Sequence, residues 1–237
     1  RQRVKEGRIE LTAMFSNMSD IMDESSAAAQ LQPVGTFRRM GFPVKTAMQN
    51  DVNGIAWCLA DYFAGAGIKY LIMGQHGHRA LIPFDKPTLF HWQSPSGQSV
   101  LAFRAEHYMT GNVLGIHKGN IDTLEPALCR YLDELETKKY PYDRIALQYG
   151  GYVTDNSPPG LAACDVIKRW NEVYLWPRLR SATASEFMDD MAARYSGRLP
   201  VYRKAWPDWW SDGFGSAARE TAAVRAVHAG MIANQGL

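Results

Sequence analysis

The sequence predicts an α/β fold: a parallel (β/α) barrel-like layer with an inserted β-hairpin, followed by the start of a helical bundle. Three observations predict it. Short β-branched and apolar runs alternate with longer segments of helical periodicity, the pattern of parallel strands joined by crossover helices. Polar clusters directly follow several of the strand-like runs. An Ala-rich stretch without proline, 216–233 (SAARETAAVRAVHAGMIA), closes the chain as one long helix.

Residues 8–15 (RIELTAMF) read as a strand, and Asn17, Ser19 and Asp20 supply helix-start chemistry before a helix over 21–31. The unit repeats, with a strand over 42–48 (FPVKTAM), the polar Gln49, Asn50 and Asp51, and a helix over 55–64. Gly65 and Gly67 close that helix, and 68–73 (IKYLIM) forms the next strand, ending in Gly74, Gln75, His76, Gly77, His78 and Arg79. Residues 89–92 and 99–103 flank Ser94-Pro95-Ser96-Gly97 as a hairpin, after which come Glu106, His107 and Tyr108. Apolar positions 124, 127, 128, 131, 132 and 135 draw one helical stripe over 122–135. A strand over 143–149 (DRIALQY) and helices over 160–173 and 183–195 complete the pattern.

Composition narrows the function classes. At 237 residues and 46% hydrophobic, the chain is long enough to bury a full core, which excludes disorder. The net charge of +2 is spread without a long basic block, so nucleic acid is not an expected partner. No apolar run reaches the roughly 18 to 20 residues that cross a bilayer, so no membrane partner is expected either. Cys58, Cys129 and Cys164 form no CxxC pair and lie in apolar helical patterns, which predicts buried thiols in a reduced, soluble and cytoplasmic setting. The opening at Arg1 and the stop at Leu237 suggest part of a longer protein.

In α/β folds, loops leaving the C-terminal ends of the strands converge on one rim. That rule selects 17–23, 49–53, 75–79, 106–112 and 150–156. Asp51, in Gln49-Asn50-Asp51-Val52-Asn53-Gly54, stands where helix-start amides stabilise an anionic or metal-bound carboxylate, and equally where a cap or turn Asp belongs. Asp155 lies in a Gly- and Pro-rich loop that suits either a turn or a second carboxyl on the same rim. Two such carboxyls permit glycoside chemistry when they stand about 5 to 5.5 Å apart. His76 and His78 beside Arg79 suit substrate or backbone hydrogen bonds better than direct metal ligation, since no third ligand follows at a known spacing. His107 and Tyr108 are further sugar-facing candidates. Trp206, Trp209 and Trp210 in AWPDWWSDGFG, with Asp208 and Asp212, suit stacking on sugar rings or a packing corner. No GxxxxGK[ST], GxSxG, HExxH or GxGxxG motif occurs, which removes the common NTPase, serine hydrolase, zincin and dinucleotide readings.

Taken in order, GRIELTAMFSNMSDIMDE, AMQNDVNGIAWCLADYFAGAGIKYLIMG, FHWQSPSGQSVLAFRAEHY and WPDWWSDGFGSAARETAAVRAVHAG resemble the N-terminal catalytic domain of glycoside hydrolase family 38 α-mannosidases, particularly bacterial members. The resemblance implies a retaining exo-acting α-mannosidase with a zinc ion, in which Asp51 is both nucleophile and metal ligand and Asp155 is the acid/base. It implies sugar contacts from Tyr108 and from the loop holding His76, His78 and Arg79. Trp209, Trp210 and Asp212 join these as substrate contacts.

The match has departures. Val52, Asn53, Gly54 and Ile55 follow Asp51 where the family commonly has an Asp-Pro-Phe-Gly-His-Ser-like run, and the family's Gly-Asp step reads Gly150-Gly151 here. The family's His-x-Asp zinc ligands and a further His are expected outside this chain. Residues 1–212 would then be a partial catalytic domain and 213–237 the first helix of a following helical domain, with little activity in isolation. Two other readings stand beside this one: a carbohydrate-binding pseudoenzyme, and a deacetylase-like sugar hydrolase.

Overall fold

The computed structural model describes residues 1–15, 22–52, 54–77, 82–206, 208 and 210–236. Its centre is a five-stranded sheet in the order β1-β2-β4-β3-β5, built from β1 (Thr46–Asn50), β2 (Tyr70–Gln75), β3 (Thr88–Gln93), β4 (Ser99–His107) and β5 (Val201–Tyr202). Strands β1, β2 and β4 run parallel, so their C-terminal ends share one edge. β3 pairs antiparallel with β4 as the expected hairpin, and β5 adds to β3 in parallel.

The β2 run is continuously apolar because both of its faces are covered. Leu71 and Met73 pack with Ala47, Phe90, Trp92 and Ala102 against α4 (Leu59–Gly65), whose Leu59, Ala60 and Phe63 are buried. Tyr70 and Ile72 point the other way, onto Leu101, Phe103 and the Met188 and Met191 of α8 (Ala184–Tyr195). The stripe foreseen at 122–135 is the buried face of α6 (Ile121–Thr137): Leu124, Leu128, Tyr131 and Leu135 meet Val166 and Trp170 of α7 (Ala162–Val173) in a third cluster.

Several expectations need correction. Among the described residues the sheet runs from β1 to β5 without closing into a barrel. Residues 8–15 contribute a single bridge, Ala13 to Ala47, instead of a strand, and Ile9 and Phe15 stay exposed, so the run lacks a buried face to hold a register. Residues 143–149 form no ladder. Two of their carbonyls are taken by other partners, Arg144 O by the Tyr140 hydroxyl at 2.7 Å and Gln148 O by the Gly111 amide at 2.8 Å.

The helix expected over 21–31 resolves, within the described residues, into α2 (Glu24–Ala29), capped by Asp23, and a separate α3 (Gln32–Arg39) that opens on Pro33. Short helices α1 (Gln2–Lys5) and α5 (Thr110–Val113) and the strand β5 lie below the length at which periodicity speaks. All three cysteines are exposed, correcting the buried reading: Cys129 and Cys164 each follow a buried residue, Leu128 and Ala163, and so fall on the solvent side of their helices.

The foreseen C-terminal helix appears as α9 (Ser211–Ser216) and α10 (Ala218–Gln235). α10 has no buried residue, and the bundle it was expected to open is not formed by the described residues. Among those residues no helix is long and apolar enough to cross a membrane.

Candidate active site

The shared C-terminal edge of β1, β2 and β4 gathers the polar side chains. Asp51 directly follows β1 and takes the left-handed conformation, φ 62°, which Asp adopts more readily than most side chains. Both of its main-chain groups are used. Its amide donates to Gly74 O at 2.9 Å, extending the β1–β2 ladder by one step, and its carbonyl accepts from the Trp210 indole at 2.5 Å. This holds the backbone turn and leaves the carboxylate half-buried at the rim.

One strand over, His76 follows β2, while His107 ends β4 and Tyr108 follows it. The three rings form a cluster: His107 stacks on Tyr108 with centroids 4.6 Å apart and 18° between planes, and His76 lies 4.8 Å from His107 and 6.2 Å from Tyr108. The Met109 amide donates to His107 Nδ1 at 2.9 Å, so this nitrogen is an acceptor and the ring proton sits on Nε2. Burial, then the neighbouring His76, push the His107 imidazole below its ordinary range, partly opposed by the charges of Asp51 and Asp155.

The Tyr108 hydroxyl donates to Asp155 Oδ2 at 2.9 Å. Burial raises the phenol well above its usual range, followed by its bond to Asp155 and the negative charges of Asp51 and Asp155. Tyr108 therefore remains a protonated donor, within electrostatic reach of both carboxylates. Asp155 itself is exposed, on a loop tied down by Asn112: Gly150 N donates to Asn112 Oδ1, and Asn112 Nδ2 donates to Gly150 O, each at 2.9 Å.

Beneath this cluster Gln148 Nε2 donates to Asn50 Oδ1 at 3.1 Å, packed over Gly74. Sequence reasoning missed Asn50, Gly74 and Gln148 as site supports, although a glycine inside a strand run is a signal for close approach. Asp51, His76, Tyr108, Asp155 and Trp210 are thus brought together. Asp212 sits in the first turn of α9 and is exposed. His78, Arg79 and Trp209 lie outside the described residues.

The Trp-rich segment divides its work. Trp206 is a packing corner, edge-on to Trp92 at 6.0 Å and buried in the core, while Trp210 reaches the rim. Asp208 is buried, which leaves it no open approach to a sugar.

Parallel strands with polar side chains gathered at their shared C-terminal edge are the layout of α/β domains that bind ligands there. This chain belongs to glycosyl hydrolase family 38: the sequence profile of the family's N-terminal domain matches residues 1–205. Its fold is similar to the crystal structure of an alpha-mannosidase from Enterococcus faecalis V583, with a TM-score of 0.69 at 13% identity over 86% of this chain and 23% of that one. It is also similar to a glycosyl hydrolase family 38 protein from Enterococcus faecalis, with a TM-score of 0.54 at 12% identity over 85% of this chain and 20% of that one. The chain spans less than a quarter of the length of either structure. No curated protein sequence matches it significantly.

Zinc, which the family implies, needs a convergent donor set. Among the described residues no group of three His, Cys, Asp or Glu side chains is placed to hold a metal ion. His107 Nδ1 is already committed to the Met109 amide. Asp51 is the ligand that the family resemblance implies, and the described residues by themselves do not complete a zinc site.

Proposed function

We propose that this chain supplies the catalytic face of a retaining glycoside hydrolase acting on terminal α-mannosides, with Asp51 as nucleophile and Asp155 as acid/base. The observation that carries the reading is Tyr108, whose hydroxyl bonds Asp155 while its phenol also senses Asp51. Family membership supports the same class. Asp51 attacks the anomeric carbon as the glycosidic C–O bond breaks, and Asp155 gives its proton to the leaving oxygen. Water then attacks the same carbon, Asp155 takes its proton, and the Asp51 carboxylate is released with net retention. His76, Tyr108, Trp210 and Asp212 contact the sugar, joined by His78, Arg79 and Trp209. α10 opens a following helical domain beyond a catalytic unit ending near residue 212, which other parts of the polypeptide complete.

The test uses the polypeptide encoded by the whole reading frame that contains these residues. It is expected to release the phenol from an aryl α-mannoside and to yield the α-anomer first, read by NMR. Sugar binding without release would favour a binding module, and acetate release from an acetylated sugar a deacetylase. A narrower outcome follows from the Tyr108 bond. Tyr108→Phe is expected to lower kcat/KM by about 10- to 100-fold, the worth of one hydrogen bond to a charged group, with an unchanged melting temperature. Wild-type kinetics in that variant would remove Tyr108 from the acid/base assembly.

A further inference from the structure

The chain leaving β4 grips the Asp155 loop at two places. Just past His107 it turns, with the Met109 amide donating to His107 Nδ1 at 2.9 Å and the Thr110 hydroxyl to His107 O at 2.7 Å, and α5 begins. Gly111 makes the next contact close: its amide donates to Gln148 O at 2.8 Å, and a Cβ there would stand 2.7 Å from Tyr149 Cβ. Asn112, only 8% exposed, directs its whole side-chain amide at the main chain of the loop. Oδ1 accepts from Gly150 N at 2.9 Å, and Nδ2 donates to Gly150 O at 2.9 Å and to Val153 O at 3.3 Å. A buried amide that closes three such bonds rigidifies the backbone it meets. That backbone flanks Asp155. A Cβ built on Gly150 lies 3.9 Å from Asp155 Cα, and past Val153 the loop closes on itself, the amides of Val153 and Thr154 donating to Ser157 Oγ at 3.3 and 3.4 Å. The second grip is on the carboxyl itself, where the Tyr108 hydroxyl donates to Oδ2 at 2.9 Å.

We propose that Asn112 is a positioning residue for the general acid: it acts on the reaction through Asp155, by fixing the 150–153 backbone that aims this carboxyl at the glycosidic oxygen. The inference rests on the hydrolase reading, which gives Asp155 its role. Its consequence depends on the leaving group. In every substrate the glycosidic C–O bond breaks as the Asp51 carboxylate bonds the anomeric carbon. A phenolate leaves slowly unless the Asp155 proton reaches its oxygen, whereas a dinitrophenolate departs as the anion and needs no proton. A misplacement of about 1 Å at a reacting group costs about 100-fold. Loosening the backbone under Asp155 is therefore felt with the first leaving group and hardly with the second, whereas general damage to the fold is felt equally with both.

The test compares kcat/KM of the whole reading-frame protein on phenyl and on dinitrophenyl α-mannoside. Asn112→Ala is expected to lower the phenyl value by about 100-fold and the dinitrophenyl value by less than about tenfold. In an Asp155→Ala background the same substitution should cost less than about threefold on the phenyl substrate, because the group it positions is gone. If a thermal melt shows that Asn112→Ala does not fold, Asn112→Asp gives the same ratio: it keeps the acceptor for Gly150 N and loses the donor to Gly150 O and Val153 O. Equal losses on the two substrates, or a loss that multiplies in full with that of Asp155→Ala, overturn the proposal and leave the hydrolase reading standing. So does a variant with wild-type values on both. A wild-type protein that releases neither phenol sinks the hydrolase reading and the positioning role with it.

Discussion

Asp51→Asn is expected to lower kcat/KM on an aryl α-mannoside by at least about 10^4-fold, the scale seen when a nucleophile is removed from a covalent mechanism, while the melting temperature stays at the wild-type value. Asn has the same shape but no anionic oxygen to attack the anomeric carbon. The fold should not register the change, because what Asp51 gives the structure comes from its main chain: the amide bonded to Gly74 O and the carbonyl bonded to Trp210. Asn also tolerates the left-handed φ of 62° at this position. Steady-state kinetics beside a thermal melt check both halves. Activity near wild type would take the nucleophile role away from Asp51.

Gly74→Ala should act on the fold and the site together. A Cβ at this position would collide with Asn50 Oδ1 and Gln148 Oε1 and come within 2.7 Å of Tyr108 Cβ. Asn50 pairs with Gly74 across β1 and β2, so the intrusion lies inside the ladder that places Asp51. Overpacking of this kind costs about 1–3 kcal/mol, visible as a lower urea midpoint at unchanged m-value. The accompanying loss of activity should exceed that of Tyr108→Phe, because the methyl group displaces Asn50, Gln148 and Tyr108 at once. A variant as stable and as active as wild type would show that the approach over Gly74 is not needed.

The elements legible in the sequence are those whose signal is local. The stripe of α6 needs a period and nothing else. The hairpin of β3 and β4 is announced by Ser94-Pro95-Ser96-Gly97, and Ser94 N does close onto Gln98 O at 2.9 Å. β2 shows itself as an apolar run long enough for one buried strand. Residues 143–149 have the same apolar look, yet the structure makes them an extended support whose Ile145 and Leu147 pack without a ladder. An apolar run in the sequence does not say whether a segment finds a strand to pair with; the tertiary structure does.

The site follows the same division. That Asp51, His76 and Tyr108 sit at strand ends could be read from the polar clusters following apolar runs. That Tyr108 bonds a carboxylate 47 residues further on, or that the Trp210 indole caps a carbonyl 159 residues earlier, could not. His107 was legible as a candidate but not as an acceptor, because its tautomer depends on where the Met109 amide points.

By itself the sequence determined the family, the alternation of strands and helices, and the loops that carry polar chemistry, because these rest on neighbours along the chain. Only the tertiary structure decided that the sheet stays open among the described residues, that the thiols face solvent, and that the Tyr108 hydroxyl bonds Asp155. Burial and hydrogen-bond geometry are set by segments far apart in sequence, and their energies exist only once the chain has closed around them.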